Sequence, residues 1–384
     1  MNVTELVFAV LRSEITNTPL DEQTKNCINA ETAQSVYQMM KAHDLSHFLS
    51  DAFLKNGLFV DTQNGKKKLT QHRNRAVCRY EQMQYEIDAI VGAFEEASIP
   101  HVLLKGATLR EEYPERWMRT SCDVDILVAE EHLPKAGEAL CAKLGYTQGE
   151  KGSHDVRFVA ESGVNLELHY SLIEEAVYAE ASKILQDVWQ HVEKKDGANS
   201  CFVLTDEFAY FYHVAHMAKH FANGGCGVRS VLDLWLLNRR GNPRREALLK
   251  KGRLSAFEEA LRALSEVWFS GAAHTDLTRE TGKFILRGGI YGTMENRVAV
   301  QQTKKGGKFR YAMSRIFLPY ESLRFYYPSL QGRKWLTPIY QVRRWGRLIF
   351  CGGMKRSLKE LETNGSIPKE KREQTLALLE KLGI

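Results

Sequence analysis

No uninterrupted apolar run in the 384 residues approaches the roughly 20 that a bilayer-spanning helix needs, so no helical membrane span is expected. The opening "MNVTELVFAVLRSEITN" has no basic leader ahead of its apolar residues and carries Glu5 among them. It therefore does not read as a secretory signal, and a cytoplasmic protein is expected, with a peripheral membrane position as the alternative. CxxC pairs are also missing. The seven cysteines, Cys27, Cys78, Cys122, Cys141, Cys201, Cys226 and Cys351, are odd in number and scattered, which argues against a disulfide framework and a structural zinc site. Reduced, largely buried thiols are the expectation. The chain has no internal repeat and no low-complexity tract.

Acid is scarce in one window. Residues 304–356 hold thirteen Lys or Arg and a single acid, Glu321. The window carries +12 against +6 for the whole chain, leaving −6 elsewhere. Aromatics interleave with the charges: Phe309, Tyr311, Phe317, Tyr320, Phe325, Tyr326, Tyr327, Trp335, Tyr340, Trp345 and Phe350. Three readings stay open: RNA, whose bases stack on aromatics while cations meet phosphates; an anionic membrane surface, for "PIYQVRRWGRLIF"; or helical packing with a solvated basic face. The first two make this window a polyanion contact.

What is present is the balance of an ordinary globular protein, 43% hydrophobic and 26% charged. Residues 1–98 place apolar residues at three- and four-residue spacings and read as helices, with a break at Gly57 and "DTQNG". From 99 to 172 the pattern is that of a compact α/β unit. The strand "VLL" stops at Gly106, "ATLREEYP" is a short helix, "CDVDILVA" a second strand, and "EEHLPKAGEALCAKLGY" an amphipathic helix. The strands "HDVRFVA" and "VNLELHYSL" follow, joined by "ESG". Residues 173–250 read as helices closing over that unit, and 251–384 as a helical segment containing the basic window. The fold class is α+β, a small mixed sheet flanked by helical segments on both sides.

Side chains alternate along a strand, so "CDVDILV" puts Asp123 and Asp125 on one face and Val124, Ile126 and Val128 on the other. Paired carboxylates repel and are costly beside an apolar core unless cations neutralise them; Mg²⁺, with its preference for oxygen ligands, is the simplest such cation. In "VNLELHY" the residues Asn165, Glu167 and His169 share one face. If that strand lies beside the first, Glu167 completes a triad of acids able to hold two metal ions roughly 4 Å apart for an in-line displacement at phosphorus. His169 then orients Glu167, touches an acceptor, or is a hydrogen-bonded strand histidine. In "LLKGATLR" a strand runs through Lys105 and Gly106 into a helix start, a place where phosphate binds, with the Thr108 hydroxyl nearby. Each signal alone is weak, since DxD more often caps a helix or solvates a turn. Their order within 65 residues is that of a single phosphoryl-transfer site.

Two more groups stand out. "HVAHMAKH" sets His213, His216 and His220 on one helical face, either as a zinc stripe lacking a fourth ligand or, the favoured reading, as histidines lining a cleft or packed in a core. Lys219 and Arg229 reach nucleotide phosphates if this segment closes over the α/β unit, and otherwise form surface salt bridges.

The order "LLKGATL", "RTSCDVDILV", "VNLELHYSL" resembles the minimal nucleotidyltransferases of the DNA polymerase β superfamily, with their hG[GS], Dx[DE] and later third acid. The stretches "IPHVLLKGATLREEYPERWMRTSCDVDILV" and "LELHYSL" are similar, nearly throughout, to the group known as uncharacterised nucleotidyltransferases. The resemblance implies a polymerase β-like core and metal ligation (Mg²⁺ or Mn²⁺) by Asp123, Asp125 and Glu167, the last also helping to deprotonate an acceptor hydroxyl. It further implies that Lys105, Gly106 and Arg119 hold the triphosphate. The superfamily's Gly-Ser or Gly-Gly is Gly106-Ala107 here, so Thr108 or Ser121 would have to supply the missing contact. The implied reaction moves a nucleoside monophosphate from a nucleoside triphosphate to a hydroxyl of a sugar, metabolite, protein or RNA end, releasing pyrophosphate. The alternatives are a non-catalytic nucleotide- or RNA-binding module of the same fold and a peripheral membrane enzyme of surface-polymer synthesis.

Overall fold

A computed structural model describes residues 1–59, 63–172, 178–290, 292–350 and 354–384. Part of the break expected at "DTQNG", the start of the helical stretch read from 173, and residues 351–353 of the basic window with Cys351 lie outside the described residues.

The N-terminal hundred residues are helical as the apolar spacing requires: Val3–Thr16, Glu22–Asn26, Ala30–Ala42, Ser46–Lys55 and the 34-residue helix Gln63–Glu96. The first is closed by a capping box between Asn2 and Glu5, which satisfies backbone N–H groups that have no partner inside the helix. Beyond Pro100 the chain enters a seven-stranded sheet. Its strands are β1 (His101–Leu103), β2 (Asp123–Val128), β3 (Thr147–Lys151), β4 (Asp155–Val159), β5 (Asn165–His169), β6 (Val192–Lys194) and β7 (Cys201–Leu204). In space they run β3-β4-β5-β2-β1-β7-β6. β2 lies at the centre, parallel to β5 and antiparallel to β1. A run such as "DVDILV", apolar on one face throughout and on the other beyond Asp125, suits only a strand covered on both sides.

Three strands depart from the sequence reading. β3, "TQGEK", is exposed along its whole length and so shows no apolar alternation; it is a charged edge strand, a composition that discourages pairing with other chains. β6 and β7 fall inside 173–237, which reads as helical. At three and four residues they are too short for a period to register. Gly197, at φ 74°, turns the chain between them, and β7 then pairs in parallel with β1 through His101 and Cys201. The segment expected to be wholly helical thus covers the free edge of the sheet.

Two apolar cores lie on the two faces. Val124, Ile126, Val128, Leu166 and Leu168 pack against Ile87, Ile90 and Phe94 of Gln63–Glu96 and against Leu140. On the opposite face Val102, Leu104 and Leu127 join the large core formed by the N-terminal helices and by Asp206–Ala222, Val228–Asn238 and Ser255–Ser270. The expected largely buried cysteines are only partly found. Cys201 and Cys226 are buried and Cys27 half-buried, but Cys78 and Cys141 face outward from helices and Cys122 is exposed just before β2. No helix among the described residues is long and apolar enough to cross a membrane.

Candidate active site

Parallel pairing of β2 with β5 sets Asp125 opposite Glu167 and Asp123 opposite Asn165. Residues two apart on a strand share a face, so all three acids emerge on the sheet face away from the core that contains Gln63–Glu96. Leu127, next on that face, is fully buried, so the acids sit at the rim of an apolar core.

Asp125 is buried and most heavily bonded. Its Oδ1 accepts from Lys105 Nζ at 3.0 Å and from His169 Nε2 at 2.8 Å. Burial alone would raise its pKa, but the charges of Lys105 and His169 outweigh burial and hold the carboxyl well below the usual carboxylate range. Because an ionised carboxylate only accepts, Nε2 of His169 carries the hydrogen of this bond, and its Nδ1 is buried without a hydrogen-bond partner. Glu167, about one-third exposed, lies 3.7 Å from His169 Nε2. Burial, then the charges of Asp125 and Asp123, push its pKa up; burial and the charge of Asp125 do the same to Asp123. One lysine does not balance three carboxylates, and the unbalanced repulsion is what a divalent cation would relieve.

The donor set fits such a cation. Ligand atoms of Asp125, Glu167 and His169 lie within 4.8 Å of one another. Two carboxylates with solvent or phosphate oxygens suit Mg²⁺ or Mn²⁺, and His169, through its bond to Asp125, either orients that ligand or adds a nitrogen. His169 is thus a hydrogen-bonded strand histidine, one of the three readings of the sequence, with its bond made to Asp125 and not to Glu167. Asp123 stands next to this group rather than within it.

Lys105 has φ 44°, a conformation L residues rarely adopt, which turns its side chain back onto Asp125 just before the helix Gly106–Leu109. Gly106 is tightly packed: a Cβ there would lie 3.0 Å from Ser121 Cβ and 3.1 Å from Ser121 Oγ, so Ser121 would have to shift. Ser121 is buried with Oγ toward Met83 Sδ, and Thr108 is exposed with its hydroxyl donating to Lys105 O. Both line the cavity, as do Lys105 and Gly106.

That cavity, of about 330 Å³, is walled on one side by the sheet acids and on the other by Asp206–Ala222 and Val228–Asn238. His213, His216, His220, Lys219 and Arg229 all line it. The histidines are cleft residues, with His216 and His220 joined Nε2 to Nε2 at 2.9 Å and His213 bonded to Ser230 O. Among the described residues they do not gather into a three-ligand group like that of the acids. Arg119 lines the same cavity but is committed elsewhere. Its Nε donates to Asp233 Oδ1 at 2.8 Å, where Tyr113 also donates, and Asp233 outweighs burial in keeping it charged. Arg229 donates to Asp44 and to Thr120. Both arginines therefore brace the loop before β2 while facing the cavity. His154, which stacks on His169 at 5.7 Å between ring centroids, has no sequence signal and reaches the site only because β4 pairs with β5.

A mixed sheet flanked by helices, with an Asp-x-Asp strand in parallel register with a third acid, is consistent with a nucleotidyltransferase fold. The chain belongs to the family described as uncharacterised nucleotidyltransferase, the match running over residues 29–269. The sheet and both cavity walls lie inside the match, and the basic window lies outside it. No curated protein and no solved structure matches the chain.

Proposed function

We propose that the protein is a divalent-metal-dependent nucleotidyltransferase, moving a nucleoside monophosphate from a nucleoside triphosphate to an acceptor hydroxyl with release of pyrophosphate. The observation that carries this reading is the register of Asp125 against Glu167, with Asp123 on the same face and cationic side chains across the cavity. Asp123, Asp125 and Glu167 would hold Mg²⁺ or Mn²⁺, which supplies charge neutralisation at the α-phosphate and lowers the pKa of the attacking hydroxyl.

The chain's own residues supply position and charge. Lys105 keeps Asp125 ionised and presents an ammonium at the cavity floor, where a phosphate oxygen can replace part of its contact with the carboxylate. Lys219, Arg119 and Arg229 form the cationic wall facing the acids and are the proposed triphosphate contacts, with Gly106, Thr108 and Ser121 lining the approach. Glu167, the third acid of the group and opposite Asp125 in register, helps to deprotonate the acceptor hydroxyl.

The test is incubation with each labelled nucleoside triphosphate, Mg²⁺ and a cell extract, asking which molecule gains label. Asp125→Asn is expected to lower transfer by at least about a hundredfold to a thousandfold while nucleotide still binds. Undiminished transfer in that variant would refute the proposal.

A further inference from the structure

The helix Thr337–Phe350 leaves a whole apolar stripe uncovered, which a protein meeting only water does not do. Its inward side is mixed: Tyr340 packs on Leu323, Tyr327 and Leu330 and Trp345 meets Phe317, while Gln341 Nε2 donates to Leu318 O, Trp345 Nε1 to Ile316 O at 3.0 Å, and Arg344 to the carbonyls of Ile316 and Arg315. Its outward side is apolar. Ile339, Val342, Ile349 and Phe350, 61%, 62%, 52% and 88% exposed, fall on one stripe at the helical period, and the exposed Arg343 and Arg347 run along its edge. An amphipathic helix in a water-soluble fold buries this stripe.

The neighbouring helix Lys308–Ile316 repeats the pattern with Phe309, Met313 and Ile316 exposed at four- and three-residue spacings. An apolar groove of about 350 Å³ joins the two helices through Ile316, Leu348, Met354 and Leu358. Twelve of the sixteen large apolar side chains exposed among the described residues lie between Phe309 and Leu358, so the patch is local rather than a property of the whole surface. Patches of this kind mark interaction sites.

We propose that this face docks the protein on an anionic lipid surface. The stripe enters the acyl boundary, and the arginines and lysines around it meet the headgroup phosphates. Charge complementarity selects this partner. Protein interfaces bury centres depleted of charge, whereas here the exposed Arg343 and Arg347 flank the stripe inside a window of net charge +12, in which Arg315 and Arg324 pair with Glu360 and Glu321. Single-stranded nucleic acid would stack on aromatic faces; of the four stripe residues only Phe350 is aromatic, and the exposed Phe309, Phe317, Tyr326 and Trp335 lie outside this helix.

The test is flotation of the full chain with phosphatidylcholine vesicles, with and without phosphatidylglycerol. Binding is expected only with the anionic lipid, and weaker at high salt. Arg343→Gln with Arg347→Gln is expected to weaken it by roughly thirtyfold at low salt. Val342→Asn with Ile349→Asn should abolish it at any salt, while the far-ultraviolet circular dichroism and the labelling activity of both variants match the parent. Absence of flotation with either vesicle would overturn the proposal. So would vesicle binding that survives Val342→Asn with Ile349→Asn, tight binding of a single-stranded RNA probe without lipid binding, or a dimer in solution that the apolar variant splits while vesicles stay unbound.

Discussion

At the scale of single residues, the site depends on close approach and on unequal sharing of charge. Gly106 touches Ser121 so closely that any side chain must displace it. Gly106→Ala is expected to cost about 1–3 kcal/mol by overpacking, read from urea unfolding, and Ser121→Gly in the same chain should recover most of it. If the double variant is no more stable than the single one, the contact is not what demands glycine. Sequence spacing made Asp123, Asp125 and Glu167 recognisable, because strand alternation is local. The inequality among them was not legible. Asp125 alone receives both Lys105 and His169, and that follows from the positive φ of Lys105 and from the β2–β5 register.

At the scale of elements, the loop before β2 is held by an acid on a helix of the cavity wall. Asp233, on Val228–Asn238, is buried and binds Arg119 and Tyr113 together. Asp233→Ala leaves the Arg119 guanidinium buried without its counter-charge and is expected to destabilise the protein by about 3–5 kcal/mol in chemical denaturation, and to loosen the loop that leads into Asp123. A loss below 1 kcal/mol would mean that Arg119 finds solvent or another partner without cost. In the sequence Arg119 resembles a phosphate contact, and nothing nearby announces Asp233, which lies 114 residues away. The strands β6 and β7 are a similar case. Their length hides their period, and only the open edge of β1 explains why they form.

At the scale of the whole molecule, the N-terminal helices carry a titrating group that does not line the cavity. Glu14 of Val3–Thr16 is packed against Ser46–Lys55, where burial pushes its carboxyl up to about 7; Lys55 at 2.9 Å opposes the rise and Asp51 adds to it. The folded chain then holds a proton that the unfolded chain releases near pH 4.5. This contribution to stability is complete below that pH and is lost as the pH rises through about 7. Relative to the parent, Glu14→Gln should therefore gain up to about 3 kcal/mol between pH 5 and pH 8, measured by urea unfolding at each pH. A parent and variant with parallel pH profiles would show that Glu14 stays ionised in the fold.

The sequence by itself determined what depends on neighbours along the chain. The helical periods, the alternation that puts two aspartates on one face of an apolar strand, the Lys-Gly turn and the basic window between 304 and 356 all arise within a few residues. Tertiary structure decided what depends on partners far apart: that Glu167 stands beside Asp125, that Arg119 answers to Asp233, that His154 reaches His169, and that Thr337–Phe350 turns its apolar side outward. The physical reason is that a period states which residues share a face, while only packing decides what that face meets.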